Sequence, residues 1–554
     1  MVLESTRFSL IVGAAFVVAF GFGCSGPAPE VVGEPDAGQP PPSESRGSEP
    51  RWSAREGDAS LHDFVIERAR TRAVQPYEPP DTMAAAAVAT LTYGQQRAIR
   101  FRDESAIWRG ETPFELQLFH PAGGFRVPVV LHLVESDTTR TLSFDPTLFD
   151  RGDELDGVQL DLGPEAGYAG FRVLTALNET TRLDEVVSFL GASYFRLLGP
   201  GHVYGLSSRG LAVDVAGPEG EEFPDFREFW VVRPSAAATT LTFYALLDGP
   251  SVAGAYQFAL TPGAPSLNGA PPTPTILSVD ARLFARTNIT QLGVAPLTSM
   301  YLHGTFRRGG DDDVRPRVHD SEGLLMASGG GEWIWRPLTN RASLQVTSLR
   351  DREPRGFGLV QRDRNFERYL DLEAQYHRRP SEWVEIAGGD WGAGGVTLVE
   401  FPTESEFNDN IVAFWAPDGG LPAGDERTFR YRLHTFNAAR PEQRSAQVVR
   451  TRIGWDALPG QAEPPPRAHR RIVVDFEGPS LHDLADDAEI EVVVQTSAGQ
   501  IDDVRVERLP GGGRRATFSL RPDPDRPADI RLYLRGDTIL SETWSYLWRA
   551  ADGR

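Results

Sequence analysis

The chain has 554 residues, 40% of them hydrophobic and 10% aromatic, which is enough apolar material for a folded protein of more than one domain. Its formal net charge of -21 and pI near 5.0 repel phosphate backbones, so nucleic acid is excluded as an expected partner, while a neutral polymer remains compatible. All 56 basic residues are arginine, and without lysine neither Schiff-base chemistry nor a Walker phosphate loop can exist.

The chain begins with an apolar run, Phe8 to Gly23, which ends in small residues directly before Cys24. This pattern predicts a signal peptide over residues 1–24, with Cys24 as a lipidation site. A membrane anchor is the alternative, but 16 apolar residues fall short of the roughly 17 to 25 that span a bilayer. Cys24 is the only cysteine, so disulfides, zinc-thiolate sites and cysteine nucleophiles are excluded. We expect an exported protein tethered to a membrane.

Residues 25–60 contain "GEPDAGQPPPSESRGSEP", a composition typical of a disordered tether. Ser60 and Asp63 then form a capping-box pattern, which predicts a short helix from Leu61 onward.

Beyond that helix the hydrophobic period is mostly two. Runs such as "ELQLFH", "VPVVLHLVES" and "IEVVVQTS", separated by Gly, Pro and Asp, are typical of antiparallel sandwiches and predict an all-β fold. A second helix is predicted from about Asn365 to Arg379. The segment "LPGQAEPPPRA" has the composition of a linker. We therefore predict a large β-sandwich over 61–445, a linker over 446–467 and a small sandwich over 468–554.

Two aspartates precede apolar runs: Asp320 in "RVHDSEGLLM" and Asp409 in "FNDNIVAFW". Two carboxyl groups are what glycosidic cleavage requires, one acid to protonate the leaving oxygen and one base to activate water. The alternative is a cap or turn role, because aspartate before a strand commonly binds nearby backbone amides. The ten histidines show no HExxH or HxH spacing, so we predict neither a metal nor another cofactor.

Five of the eleven tryptophans lie within 83 residues that flank these carboxylates. Sugar rings stack on indole faces, so the cluster favours a carbohydrate groove, although core packing is the alternative for each one. The predicted groove tryptophans are Trp333, Trp335, Trp383, Trp391 and Trp415.

Longer blocks make the chain resemble a known family from about residue 61 to about residue 548. They include "FREFWVVRP", "YALLDGPSVAGAYQFALTPG", "FLGASYFRLLGPGHVYGLSSRGLAVD", "VHDSEGLLM", "GEWIWRPL", "EAQYHRRPSEWVE", "GDWGAGGVTLVEFPTESEFNDNIVAFW" and "LSETWSYLW". Together they look like the periplasmic glucan biosynthesis family, OpgG and OpgD, also called MdoG. The family serves the making of osmoregulated periplasmic glucans, whose backbones are β-1,2-linked glucose.

The resemblance implies a large β-sandwich like that of galactose mutarotase, followed by an immunoglobulin-like domain. It also implies similarity to anomer-inverting β-1,2-glucanases. Matched by motif, Asp409 corresponds to the general acid and Asp320 to the general base, while Tyr376 and Glu406 correspond to supporting groups. His319 and Arg379, which lie in the same motifs, are implied to bind substrate.

Three functions stay open from the sequence. The first is an exported endo-β-1,2-glucanase, which retention of both Asp320 and Asp409 favours. The second is a non-hydrolytic glucan-binding scaffold, and the third is a transglycosylase that uses a sugar hydroxyl in place of water. This chain departs from the usual family pattern in Cys24 with its tether, and in the loop "TFRRGGDDDVRPR", which bears on chain-length preference.

Overall fold

The computed structural model describes residues 60–136, 138–266, 271–305, 313–437, 443–485 and 488–549. Almost all regular structure in these residues is β, which confirms the predicted all-β sandwich fold. The predicted signal peptide, Cys24 and all of the predicted tether except its last residue lie outside the described residues.

The helical segments are short. The α-helices are α1 Leu61–Ala73, α2 Tyr93–Arg97 and α3 Pro479–His482. The 3-10 turns are Met83–Val88, Asp103–Ser105, Pro146–Leu148, Asp153–Leu155, Pro164–Ala166, Phe366–Arg368 and Tyr376–Arg378.

The strands are given in chain order. The first part contains β1 Ile99–Phe101, β2 Glu115–Phe119, β3 Val130–Glu135, β4 Thr138–Thr141, β5 Phe149–Arg151, β6 Gly170–Glu179, β7 Arg182–Leu190, β8 Tyr194–Leu197, β9 Ser207–Arg209, β10 Leu211–Val213, β11 Asp225–Val232, β12 Leu241–Asp248 and β13 Val252–Thr261. The middle part contains β14 Ile276–Ala285, β15 Leu292–Ser299, β16 Tyr301–His303, β17 Val318–His319, β18 Gly323–Ala327, β19 Trp333–Pro337, β20 Gln345–Arg352, β21 Gly356–Val360, β22 Ser381–Gly389, β23 Ala393–Glu400, β24 Ile411–Pro417 and β25 Glu426–Phe436. The last part contains β26 Gln447–Trp455, β27 Arg470–Glu477, β28 Glu491–Thr496, β29 Gln500–Arg508, β30 Arg514–Arg521, β31 Ala528–Arg535 and β32 Thr543–Trp548.

Two large sheets form the sandwich. The ten-stranded sheet has the order β2-β6-β7-β8-β9-β15-β24-β23-β20, with β10 paired to β15. The fourteen-stranded sheet has the order β28-β31-β32-β19-β18-β21-β22-β25-β14-β13-β12-β11-β3-β4. Pairing is antiparallel except for β3 with β11 and β19 with β32 among these strands. This antiparallel arrangement explains the alternation of apolar and polar residues along the strands.

Aromatic side chains fill the space between the sheets. Phe189 of the ten-stranded sheet contacts Phe229, Phe243 and Phe258 of the fourteen-stranded sheet, with ring centroids 5.1, 5.5 and 5.5 Å apart. Burying such large rings supplies much of the hydrophobic stabilisation, since each removes roughly 150 to 250 Å² of surface from water. The sheets are therefore a rigid platform for the residues at their edges and ends.

Helix α1 covers the outer face of the fourteen-stranded sheet. Its Ser60 cap accepts from the Asp63 amide, and the Asp63 side chain accepts from the Ser60 amide, so the predicted capping box is present. The apolar side chains of Leu61, Val65 and Ala69 pack against this sheet.

The second predicted helix, Asn365 to Arg379, is wrong. The segment contains only two separate 3-10 turns, because Leu370 and Gln375 adopt left-handed backbone conformations, with φ of 54° and 48°, that interrupt a helix. The Asp371 side chain accepts from nearby backbone amides instead.

The C-terminal part shares a sheet with the rest of the chain. Strands β26, β27, β30 and β29 form a separate four-stranded sheet, whereas β28, β31 and β32 extend the fourteen-stranded sheet through β19. The range 446–467, predicted to be a linker, begins with β26, so only its second half lacks strand structure. The division into a large and a small sandwich remains a prediction.

Candidate functional site

Asp320 and Asp409 are anchored to neighbouring residues at the end of β15. The amide of Asp320 donates to the Met300 carbonyl at 2.9 Å. The side chain of Asn410, the residue after Asp409, accepts from the Tyr301 amide at 2.8 Å and donates to the Tyr301 carbonyl at 3.1 Å. Because Met300 and Tyr301 are consecutive, these bonds bring the two predicted catalytic aspartates to the same place.

The segment that carries Asp409 is fixed at both ends. Asn410 Nδ2 donates to the Phe401 carbonyl at 2.9 Å, which closes the loop between β23 and β24. The Thr403 amide donates to Asn340 Oδ1 at 3.1 Å, and Asn340 Nδ2 donates to the Thr403 carbonyl at 2.8 Å. These bonds restrict the backbone near Asp409, and catalysis benefits when the reacting groups are held in place.

Asp409 is partly accessible to solvent, although protein closely surrounds its carboxyl group. Burial raises its pKa to about 6; the negative charge of Asp320 adds to this effect, and Arg196, Arg379 and Arg209 oppose it. Among the described residues it has no hydrogen-bond or ion-pair partner, so the predicted alternative of a cap on backbone amides does not apply to it. A carboxyl with this pKa holds its proton more readily than an exposed aspartate.

Asp320 is only 1% exposed and pairs with the Arg379 guanidinium through Oδ1. Burial raises its pKa, whereas Arg379 lowers it. Its Oδ2 is buried without a hydrogen-bond partner in the described structure. An unpartnered buried carboxylate oxygen costs free energy, and such groups are concentrated at functional sites.

Tyr376 and Glu406 lie together beside this pair. Tyr376 donates from Oη to Glu406 Oε2 at 2.6 Å, and Arg315 donates to the same oxygen at 2.7 Å. The Arg379 guanidinium stacks over the Tyr376 ring, 4.3 Å from its centroid. The structure thus connects Asp320, Tyr376 and Glu406 through Arg379, and Asp320 acts on Asp409 through its charge.

His319 does not face the cleft. It is 1% exposed, its Nδ1 lies 3.0 Å from Gln361 Oε1, and its ring stacks on Tyr301. Burial lowers its pKa to about 3, so the imidazole is neutral. The predicted substrate contact of His319 is therefore wrong. Arg379 is also buried, and it forms an ion pair with Asp320.

Four of the five predicted groove tryptophans are core residues, and the predicted stacking groove is wrong for these four. Trp335, Trp383, Trp391 and Trp415 are at most 4% exposed, so no sugar ring can reach their faces. The partly buried Trp333 packs on Trp383 with ring centroids 5.5 Å apart. The apolar runs that surround these residues are strands covered on both faces, which core packing explains.

Sequence reasoning missed the arginines that face the aspartates from β8 and β9. Arg196 is partly exposed, donates to Ser207 at 3.2 Å and lies over the Tyr204 ring. Arg209 is buried between two aromatic rings, Tyr194 at 4.8 Å and Phe223 at 5.0 Å. These arginines, Tyr194 and Tyr204 belong to the block "FLGASYFRLLGPGHVYGLSSRGLAVD", which was the only signal that pointed to them.

A family model described as "Periplasmic glucan biosynthesis protein, MdoG" matches residues 61–548. The chain belongs to the periplasmic glucan biosynthesis family. It is 42% identical over 525 residues to glucans biosynthesis protein G 1 of Shewanella oneidensis, an overlap of 94% of this chain and 92% of that protein. It is 45% identical over 493 residues to glucans biosynthesis protein G of Ralstonia nicotianae, covering 87% of this chain and 95% of the relative.

Family membership confirms the resemblance predicted from the sequence motifs and places the chain in periplasmic glucan biosynthesis. Within the described part of the chain, no helix has the length and apolar character needed to cross a membrane. The same part contains no cluster of three or more His, Cys, Asp or Glu side chains able to hold a metal ion.

Proposed function

We propose that this member of the periplasmic glucan biosynthesis family is an endo-acting, anomer-inverting β-1,2-glucanase. The observation that supports the proposal is that the backbone of Asp320 and the side chain of Asn410, next to Asp409, bind the consecutive residues Met300 and Tyr301, which places the two carboxyl groups in one site. One is paired with a guanidinium and the other has no ion-pair partner in the described structure. Environments this different suit one base and one acid.

Each residue then has a distinct role. Asp409 protonates the leaving glycosidic oxygen, because its raised pKa favours the protonated form. Asp320, whose negative charge Arg379 stabilises against burial, accepts a proton from the attacking water through an intervening hydroxyl. Tyr376 and Glu406 form the hydrogen-bonded wall beside them. The substrate is a neutral β-1,2-linked glucan, which the protein's net negative charge does not oppose.

Water attack from the far side of the sugar should release the α-anomer first. Inverting enzymes place their carboxyls roughly 6.5 to 9.5 Å apart or more, whereas retaining enzymes need about 5 to 5.5 Å for direct attack. No hydrogen bond joins Asp320 to Asp409 in the described structure, and Asp320 is too buried to attack a sugar carbon directly. NMR of early products from linear β-1,2-glucan would check this prediction. A β-anomer appearing first would contradict the inverting mechanism.

The same incubation distinguishes the rival functions. A scaffold would bind glucan and leave it intact, and a transglycosylase would yield chains longer than the starting material. A pure binding protein gains nothing from the unpartnered oxygen of Asp320, which destabilises the fold. This loss of stability favours the enzyme over the binding protein, because carboxyl groups in unfavourable environments are concentrated at catalytic sites.

The location is proposed as periplasmic with a lipid tether at Cys24. Replacing Cys24 with Ser should move the protein from the detergent phase to the soluble periplasmic fraction, because acyl chains contribute ~0.8 kcal/mol of attachment per buried methylene. Phase partitioning of the two proteins from envelope extracts measures the shift. A parent protein already found in the soluble fraction would contradict the tether.

A further inference from the structure

One guanidinium joins three loops beside the cleft. Arg315 donates to Asp313 at 2.9 Å, to Asp371 Oδ2 at 3.2 Å and to Glu406 Oε2 at 2.7 Å. The three carboxylates are far apart in the chain, and Arg315 is the group they share. Charge-assisted bonds to one rigid, planar cation fix relative positions as well as contributing energy.

The apolar side chains next to the ion-paired residues do not pack the loops together. Val314, Leu372 and Phe407 each neighbour one of the ion-paired residues in sequence, and they are 92%, 78% and 71% exposed. Exposed apolar side chains bury little surface and so stabilise little. Asp371, in contrast, has a buried side chain, and a partly buried network is worth more than isolated surface pairs. The ion network is therefore one contact that all three loops share, beside the apolar cluster of Val318, Tyr369 and Tyr376.

Two routes lead from Arg315 to Asp320, and the first runs through Glu406. Glu406 Oε2 accepts from both Arg315 and Tyr376. The Tyr376 ring supports the Arg379 guanidinium, which pairs with Asp320.

The second route runs through Asp371. While Oδ2 pairs with Arg315, Oδ1 accepts from the amides of Glu373 at 2.8 Å and Ala374 at 2.7 Å. The turn fixed in this way presents the Ala374 carbonyl to Arg379 Nε at 3.2 Å. Both routes thus end at the guanidinium that holds Asp320.

We propose that Arg315 is a positioning residue that sets the orientation and the ionisation of Asp320 without touching the reacting atoms. The inference rests on the proposed function, in which Asp320 acts as the base. It means that the rate depends on Arg315 as well as on the acid and the base.

The electrostatic part of this role follows from the charges around Asp320. The titratable and charged groups that act on it are Arg379, Arg196, Glu406, Asp409 and Tyr376. Glu406 disfavours the Asp320 anion, and Arg315 lies against Glu406 with the opposite charge. Removing Arg315 leaves Glu406 unopposed, which should raise the pKa of Asp320 further.

The test compares Arg315→Gln, Arg315→Lys and the control Arg317→Gln in the full-length protein, using kcat and the pH profile of kcat/KM on linear β-1,2-glucan. Arg317 lies on the same loop and also pairs with two carboxylates, Glu322 and Asp363. We expect Arg315→Gln to lower kcat at least ~10-fold, because small displacements of catalytic groups are costly, and to shift the acidic limb to higher pH by up to ~1 unit. Arg315→Lys keeps the positive charge but lacks the planar guanidinium that donates to several carboxylates at once. It should therefore lower kcat without moving the acidic side of the pH profile of kcat/KM.

The possible outcomes test the positioning role of Arg315 and the hydrolytic function separately. The positioning role would be overturned if Arg315→Gln kept the kcat and the pH profile of the parent. It would also be overturned if Arg317→Gln shifted the acidic side of the profile equally. A parent protein that releases no product would overturn the hydrolytic function, and the inference with it. Matching thermal midpoints for Arg315→Lys and the parent ensure that a loss of rate reflects the site and not unfolding.

Discussion

Replacing Asp409 with Asn should lower the rate of β-1,2-glucan hydrolysis by ~10² to 10⁴-fold, the usual contribution of a general acid. Asparagine keeps the shape of the side chain but has no transferable proton. Glucan affinity should change little, because the loop remains fixed by Asn410 and Asn340. Initial rates of reducing-end release, together with calorimetric titration of glucan, measure the two effects separately.

The matched control lies at the other end of the same strand. Asp418 follows β24, is half exposed and pairs with the exposed Arg350, so Asp418→Asn should keep the parental rate. The parent's rate should also fall as pH rises through about 6, since the acid loses its proton there, and the residual rate of Asp409→Asn should lack this limb. Equal rates for Asp409→Asn and the parent would remove Asp409 from the mechanism.

The two aspartates of the candidate site could be selected from the sequence because their signal is local. Asp409 precedes an apolar strand, and the neighbouring Asn410 explains why polar residues crowd that position: its amide binds the backbone of Tyr301. Burial of the tryptophans could not be predicted in this way. Trp391 and Trp415 lie near the site in sequence, but whether an indole faces solvent or core depends on which strands cover it.

The contacts between distant loops could not be predicted from the sequence either. Arg315 meets Asp371 and Glu406, which lie 56 and 91 residues away along the chain. Nothing in the local pattern around any of the three indicates the others. The wrong helix in the same region has a related cause, since its apolar spacing was compatible with a helix while left-handed residues and the Asp371 side chain imposed turns.

A further carboxyl unnoticed in the sequence links the two sheets. Glu382 on β22 is 0% exposed and accepts from Ser208 Oγ on β9 at 2.6 Å. Its other oxygen, Oε1, has no partner in the described structure, and no cation pairs with it there. Burial raises its pKa from 4.5 to about 8. The folded protein therefore holds Glu382 as a neutral acid at neutral pH.

The raised pKa makes stability depend on pH with a definite sign. The folded state binds the Glu382 proton more tightly than the unfolded state does. The contribution of Glu382 to the free energy of unfolding is therefore complete below pH 4.5 and is lost as pH rises toward 8. Each pH unit in this window lowers the free energy of unfolding by ~1.4 kcal/mol, about 5 kcal/mol in total. Glu382→Gln supplies a permanently neutral side chain that can still accept from Ser208. It should remove this slope and unfold at higher urea than the parent at pH 9.

Urea unfolding of both proteins at pH 5, 7 and 9 measures the effect as a difference in slope, so other titrating groups cancel. Glu385→Gln is the control, because Glu385 lies on the same strand but is partly exposed and paired with Arg432 and His434. That variant should keep the parent's loss of stability above pH 5. Parallel curves for Glu382→Gln and the parent would mean that Glu382 is ionised inside the fold, and the neutral hydrogen bond between the sheets would then have to be abandoned.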